Sequence, residues 1–71
     1  MKLTELSDEN LVQFHILASS FYKVKKFIVE NKTFEINDIE EIEVEMAYRS
    51  AYRSTKYWQE KMLEVKKLLT S

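Results

Sequence analysis

The residues best suited to bind a ligand lie in the second half of the chain, where basic and aromatic side chains alternate. A four-residue unit, Ala-Tyr-Arg-Ser, occurs twice in succession over residues 47–54. In a helix, residues at this spacing share a face, and such a basic, aromatic face could grip phosphates and stack bases. Tyr and Arg are also frequent anchors of protein interfaces. We predict a partner-binding face made of Arg49, Tyr52, Arg53, Lys56 and Tyr57.

The same spacing has a plainer interpretation. Ala47 and Ala51 are small residues one helical turn apart, so another helix could approach them, with the basic side chains forming a solvated flank. The net charge of −1 lacks the strongly basic balance that nucleic-acid-binding domains usually show. An unidentified protein target is therefore preferred, and nucleic acid is the alternative.

Acidic residues concentrate just before this segment, within residues 38–45. They could bind a hard cation or imitate nucleic-acid phosphates, but acids are also favoured at a helix start by its dipole. We prefer a solvated helix start that pairs with lysines of the first helix. Residues 1–45 have a charge balance of −5 and residues 46–71 one of +4, so opposite charges are segregated along the chain. The cluster comprises Asp38, Glu40, Glu41, Glu43 and Glu45.

Few residues are suited to catalysis or metal binding. The chain has one His and no Cys, which disfavours an ordinary zinc site. His15 could titrate near neutral pH, but no Ser or Asp is placed by sequence to complete a triad, and no Gly-rich phosphate loop occurs. We predict no enzymatic activity, no cofactor and no metal.

A long helix should carry the basic and aromatic residues. Neither Gly nor Pro, the residues that most often end helices, occurs in the chain. Apolar residues recur at steps of three and four, which predicts a helix over about 38–69, roughly 48 Å long at 1.5 Å per residue. Its expected core stripe is Val44, Tyr48, Ala51, Thr55, Trp58, Met62, Val65 and Leu69.

A first helix over about 8–30 should precede it. Ser7 is placed to accept a hydrogen bond from the amide of Asn10 as the N-cap. Residues 31–36 interrupt the helical pattern and form the connection, and Asn37 is a plausible cap for the second helix. The predicted fold is one all-α domain over 1–71, an antiparallel helical hairpin. The apolar stripe of the first helix is Leu11, Phe14, Leu17, Phe21, Val24 and Ile28.

Two helices cannot enclose a core by themselves, and apolar residues remain off both stripes. Such surplus apolar surface usually marks association. We therefore predict a homodimer that forms a four-helix bundle about a twofold axis. Its expected interface residues are Val12, Ile16, Phe27, Ile39, Ile42, Met46, Met62, Val65 and Leu69.

These observations favour a non-enzymatic protein–protein interaction module, an adaptor, inhibitor or regulator that acts through exposed faces of the second helix. In composition it is similar to small regulators of phages and other mobile elements. A nucleic-acid-binding regulator and a structural assembly subunit are the alternatives. Because no signal-peptide pattern and no apolar run of about 20 residues occurs, we expect a cytoplasmic location without membrane contact.

Overall fold

The chain folds as an α+β domain, so the predicted all-α helical hairpin is wrong. The computed structural model describes residues 2–21 and 23–70. A short 3-10 turn precedes a helix, a two-stranded antiparallel hairpin and two further helices. We name them in chain order as the 3-10 turn Leu3–Glu5, α1 Asp8–Ser20, β1 Lys26–Val29, β2 Lys32–Glu35, α2 Glu40–Arg49 and α3 Thr55–Thr70.

The first error lies at the end of the predicted first helix, which was expected to reach residue 30. The sequence Lys26-Phe27-Ile28-Val29 alternates between exposed and buried side chains, which is the period of a strand with one face covered. Glu30 and Asn31 turn the chain with φ of 52° and 64°, and positive φ at both central residues defines the two-residue turn that suits a hairpin. Asn tolerates this conformation well, and Glu does so at a cost. The turn forms without glycine.

The second error concerns the long helix predicted over 38–69, which is broken at residues 50–54. Ser54 accepts a hydrogen bond from the amide of Tyr57 at 3.0 Å, so it caps α3 instead of lying inside a helix. Ser50 accepts a hydrogen bond from the indole of Trp58 at 2.9 Å, which holds the two helices at an angle across the break. The largest extent of the chain is 30 Å, well short of the ~48 Å expected for the continuous helix.

The break at residues 50–54 changes which residues of the predicted core stripe are buried. Five of its eight residues are exposed, namely Val44, Tyr48, Ala51, Thr55 and Leu69. Beyond the break, Trp58 and Val65 are buried as expected. Before it, Val44 and Tyr48 face outward, because α2 packs instead through its other apolar residues, Ile42 and Met46. A helix that ends and restarts changes the face it presents, so a single stripe cannot describe both halves.

The start of α1 is as predicted. Ser7 is the N-cap, and its hydroxyl accepts a hydrogen bond from the amide of Asn10 at 3.2 Å. The start of α2 differs from the prediction, since Ile39 and not Asn37 precedes it. There the carboxylate of Glu41 accepts hydrogen bonds from the amides of Asn37 and Asp38, which fixes the segment leading into α2 against the first turn of the helix.

The core consists of two groups of buried side chains on either side of α1. The first joins α1 to the hairpin and α2, and within it Phe14 stacks on Phe27 with 5.3 Å between ring centroids. The second joins α1 to α3 through Val12, Trp58 and Val65. Met46 packs against both groups. Helix α1 is therefore the central element that all others contact.

The predicted four-helix bundle is wrong, because a β-hairpin takes the place of part of the first helix. Several residues assigned to its interface are covered within one chain. Val12, Phe27, Ile42 and Val65 are buried, and the others pack partly against the core except Leu69, which is exposed. The partly buried residues are Ile16, Ile39, Met46 and Met62.

Among residues 2–21 and 23–70, no helix is both long and apolar enough to cross a membrane. The expected cytoplasmic location stays a prediction.

The hairpin should contribute substantially to stability through Phe34, which pairs with Phe27 and is 1% exposed. We expect Phe34→Ala to lower the free energy of unfolding by about 3–5 kcal/mol, because it leaves a cavity in the first core group. Ile28→Ala, on the exposed side of the neighbouring strand, is the control and should cost within ~0.5 kcal/mol. Urea denaturation followed by circular dichroism measures both. Equal effects would mean that the hairpin does not pack on α1.

Candidate functional site

The carboxylate of Asp8, in the first turn of α1, gathers three side chains from the α2–α3 junction. Its Oδ1 accepts a hydrogen bond from Arg49 Nη1 at 2.9 Å. Its Oδ2 accepts from Arg53 Nε and from the Tyr57 hydroxyl, each at 2.6 Å. Only 10% of the Asp8 side chain is exposed, so this charge is paired where water is largely absent. We call Asp8, Arg49, Arg53 and Tyr57 the Asp8 cluster.

All three guanidinium nitrogens of Arg49 donate hydrogen bonds to other groups of the protein. In addition to Asp8, its Nε donates to Glu45 one turn earlier on α2 at 2.9 Å. Its Nη2 donates to the carbonyl oxygens of Leu3 and Leu6, at 3.1 and 2.8 Å. A planar guanidinium can satisfy several acceptors at once, which suits it to such a buried junction. Arg49 thereby fixes the N-terminal segment against the end of α2.

Tyr57 extends the cluster toward a second ion pair. The ring of Tyr57 lies edge-on to Trp58, with 5.3 Å between the ring centroids. Arg53 Cζ lies 5.7 Å and Lys61 Nζ 5.4 Å from the centroid of the Tyr57 ring, so both cations make cation–π contacts with it. Lys61 in turn binds Glu9 at 2.8 Å. These contacts join the first turn of α1 to α3.

The contacts shift the pKa values of the residues involved. Burial acts to raise the pKa of Asp8, but hydrogen bonds from Tyr57, Arg53 and Arg49 outweigh it, so this pKa lies below its ordinary value of 3.8. The hydrogen bond to Asp8 raises the pKa of Tyr57. The hydrogen bond with Lys61 lowers the pKa of Glu9, and the same bond raises the pKa of Lys61 to about 12.

These shifts make the Asp8 cluster a poor catalytic centre. A general base needs a pKa near neutrality and a free lone pair toward substrate. Asp8 is ionised well below that range and both of its oxygens already accept hydrogen bonds. Tyr57 holds its proton more firmly than a free phenol. The arrangement is suited to holding helices together.

The structure therefore separates the five residues predicted to bind a partner. Arg49, Arg53 and Tyr57 belong to the Asp8 cluster, which differs from the expected solvated basic flank. Tyr52 and Lys56 are exposed. Whether these residues contact a partner stays a prediction.

A different surface of α2 presents large apolar side chains to solvent. Val44 and Tyr48 lie one turn apart on the same side of the helix, and they are 45% and 72% exposed. Tyr52, in the turn that follows, is 87% exposed. We call Val44, Tyr48 and Tyr52 the exposed aromatic face. The sequence interpretation missed Tyr48 because its spacing placed it in the core stripe.

Two surface grooves flank α2. One, of about 420 Å³, lies between α2 and α3, where Trp58, Met46 and Met62 form apolar walls and His15 lies 3.7 Å from Glu43. The other, of about 500 Å³, lies between α2 and the N-terminal segment, and we call it the acidic groove. It is lined by Lys2, Leu3, Thr4, Glu35, Asp38, Glu40, Glu41, Val44 and Glu45.

The acidic residues of α2 do not pair with the first-helix lysines as expected. Glu43 faces His15, Glu45 binds Arg49, and Glu41 caps the start of its own helix. Lys26, now in β1, lies 3.7 Å from Glu35 in the other strand. Over the part of the chain that the structure describes, no three His, Asp or Glu side chains form a group that could hold a metal ion.

No protein-family model, curated protein or solved structure matches this chain.

The Asp8 cluster gives a pH dependence with a definite sign. Because its pKa is lower in the folded state, Asp8 stabilises the fold fully above its ordinary pKa of 3.8, and this contribution is lost as pH falls below that value. Asp8→Asn should lower the free energy of unfolding by about 1.5–3 kcal/mol at pH 7, as expected for lost hydrogen bonds to a charged group. The difference from wild type should shrink toward pH 2–3, measured by urea denaturation at each pH.

Glu60→Gln is the matched control, because Glu60 is exposed on α3 and forms no ion pair within residues 2–21 and 23–70. It should change stability within ~0.5 kcal/mol. An Asp8→Asn effect that stays constant between pH 2 and pH 7 would contradict the pairing.

Proposed function

We propose that this chain is a non-enzymatic protein–protein interaction module, an adaptor, inhibitor or regulator, that binds its target through the exposed aromatic face. The observation that carries the proposal is a contrast between neighbours. Tyr48 and Tyr52 are 72% and 87% exposed, whereas the adjacent Arg49 and Arg53 are bound to Asp8. Tyrosines offer large contact area at low entropic cost, and they are enriched at protein interfaces.

The same contrast argues against nucleic acid as the ligand. Binding of nucleic acid needs protein cations that can approach its phosphates, and each such contact releases counterions from the nucleic acid. Arg49 and Arg53 already share the charge of Asp8. Of the three basic residues in the predicted partner-binding face, only Lys56 is exposed and forms no ion pair within the described part of the chain. At the other end of α2, Glu40 and Glu41 line the groove beside Val44, and their carboxylates would repel phosphates there.

A homodimer stays a second proposal for the partner. Its support now comes from the exposed residues, since Val12, Ile42 and Val65 are buried within one chain. Two copies could cover Tyr48 and Tyr52 by meeting face to face about a twofold axis.

Static light scattering at micromolar concentration tests self-association. If the face binds a second copy, the mass should be twice the 8.6 kDa of one chain and should fall to one chain in Tyr48→Ser/Tyr52→Ser. A constant 8.6 kDa over the accessible concentrations would exclude the homodimer and leave a different protein as the target.

A chain that carries a photo-cross-linking amino acid in place of Tyr52, expressed in the organism that encodes it, identifies the target. We expect one discrete adduct, identified by mass spectrometry. The purified target should bind Tyr48→Ser/Tyr52→Ser at least about tenfold more weakly, because the face loses both aromatic anchors. The variant should keep wild-type stability, since both side chains are exposed.

Leu63, which is 59% exposed on α3, provides the control. A cross-linker there should give no adduct with the target, and Leu63→Ser should bind normally. Unchanged target binding by the double tyrosine variant would refute the proposed face. Nanomolar, salt-sensitive binding of the wild type to duplex DNA at physiological salt, abolished by Lys56→Glu, would favour nucleic acid instead.

A further inference from the structure

The exposed aromatic face continues at one end into the acidic groove. Val44 belongs to both, since it is 45% exposed on α2 and also lines the groove. Leu3 lies on the opposite wall, in the N-terminal segment that Arg49 holds in place. The groove is thus an open channel along the first turns of α2, with apolar side chains on both walls.

The charges around this channel are unequal. Five carboxylates line it, against the single amine of Lys2. Arg49 balances Glu45, and Lys26 lies near Glu35. The other three are Asp38, Glu40 and Glu41.

No basic side chain pairs with these three carboxylates among the residues that the structure describes. Asp38 and Glu41 accept hydrogen bonds from backbone amides, which orient their carboxylates without cancelling their charge. The channel therefore presents an excess of negative charge beside exposed apolar side chains.

A partner complementary to this surface must supply apolar anchors along one line and cations on either side. An amphipathic helix does this when leucines or isoleucines recur every three or four residues between lysines or arginines. The anchors would lie on Val44 and Tyr48, which are one turn apart on α2. The long basic side chains could reach the carboxylates at the rim while their methylenes cover apolar surface.

We propose that the acidic groove, together with Val44 and Tyr48, binds a basic amphipathic helix of a partner protein. The inference rests on the proposed function and adds the chemistry of the segment that is recognised. Charge complementarity at the rim would speed association and set specificity, and the apolar contacts would supply most of the affinity.

Two synthetic peptides test this chemistry without knowledge of the target. The first is about 15 residues long, with leucines at i, i+3, i+4 and i+7 and lysines elsewhere. The second carries glutamate in place of every lysine. NMR titration of the isotope-labelled chain should show saturable amide shifts with the lysine peptide, concentrated at Leu3, Thr4, Glu40, Val44 and Tyr48. The glutamate peptide should cause none.

Substitutions in the groove should weaken the lysine peptide specifically. Glu40→Lys and Val44→Lys each change one exposed side chain, and each should raise the dissociation constant at least about fivefold. Glu60→Lys on α3 makes the same charge change as Glu40→Lys away from the groove, and it should change the constant less than about twofold. Raising the salt from about 0.01 to 0.15 M should weaken binding without abolishing it, because the apolar contacts remain. Circular dichroism checks that each variant is folded.

Three results would overturn the inference: no saturable binding of the lysine peptide, shifts that map to another surface, or equal weakening by Glu40→Lys and Glu60→Lys. The last would indicate general attraction to an acidic protein. The proposed function would survive any of them if the target found by cross-linking at Tyr52 still depended on Tyr48 and Tyr52. It would fail separately if that target bound the tyrosine variant normally.

Discussion

One partly buried carboxylate, that of Asp8, joins the start of α1 to the α2–α3 junction. Its hydrogen bonds to Arg49, Arg53 and Tyr57 fix the start of α1 against the α2–α3 junction, and Arg49 also holds the carbonyls of Leu3 and Leu6. A carboxylate with only 10% of its side chain exposed is costly unless its charge is paired, so these partners are constrained as a group. The positions of α2, the exposed aromatic face and one wall of the acidic groove depend on this arrangement. Because the cluster occupies the arginines, the tyrosines at positions 48 and 52 are the large side chains that this segment leaves exposed.

Sequence periodicity predicted some local features and misplaced the elements around them. The cap at Ser7 and the buried Trp58 and Val65 depend on neighbouring residues within one helix, and such short-range patterns are readable. The hairpin was hidden because its turn uses Glu30 and Asn31 where glycine is the usual signal. Similarly, Ser54 interrupts an otherwise helical pattern, and a serine inside a helix differs from a serine cap only in its tertiary surroundings. Without glycine or proline, the chain gives little local indication of where helices end.

The candidate site was predictable only in part, for a related reason. Residue type and spacing singled out the segment containing Tyr52 and Arg53, but could not tell which of its side chains would be paired inside the protein. Asp8 lies 41 to 49 positions before its partners, and no local pattern reports a contact of that range. The segregation of acidic from basic residues was the available signal, since it implied that the two parts of the chain attract each other. The exposure of Tyr48 follows from the break at residues 50–54 and could not be inferred before that break was known.

The long separation between Asp8 and its partners has a consequence for how the chain folds during synthesis. Helix α1 leaves the ribosome before α2 and α3, so its Asp8 carboxylate at first lacks its partners, and the apolar side of α1 that carries Val12 is uncovered until α3 arrives. The hairpin can form early because its strands are adjacent, whereas the cluster must wait until Tyr57 has emerged. Closing that loop costs entropy before any contact offsets it. A nascent chain halted before α3 would therefore lack the hydrogen bond from Tyr57 to Asp8 and leave the Val12 side of α1 uncovered, and exposed apolar surface of this kind makes incomplete chains prone to aggregate.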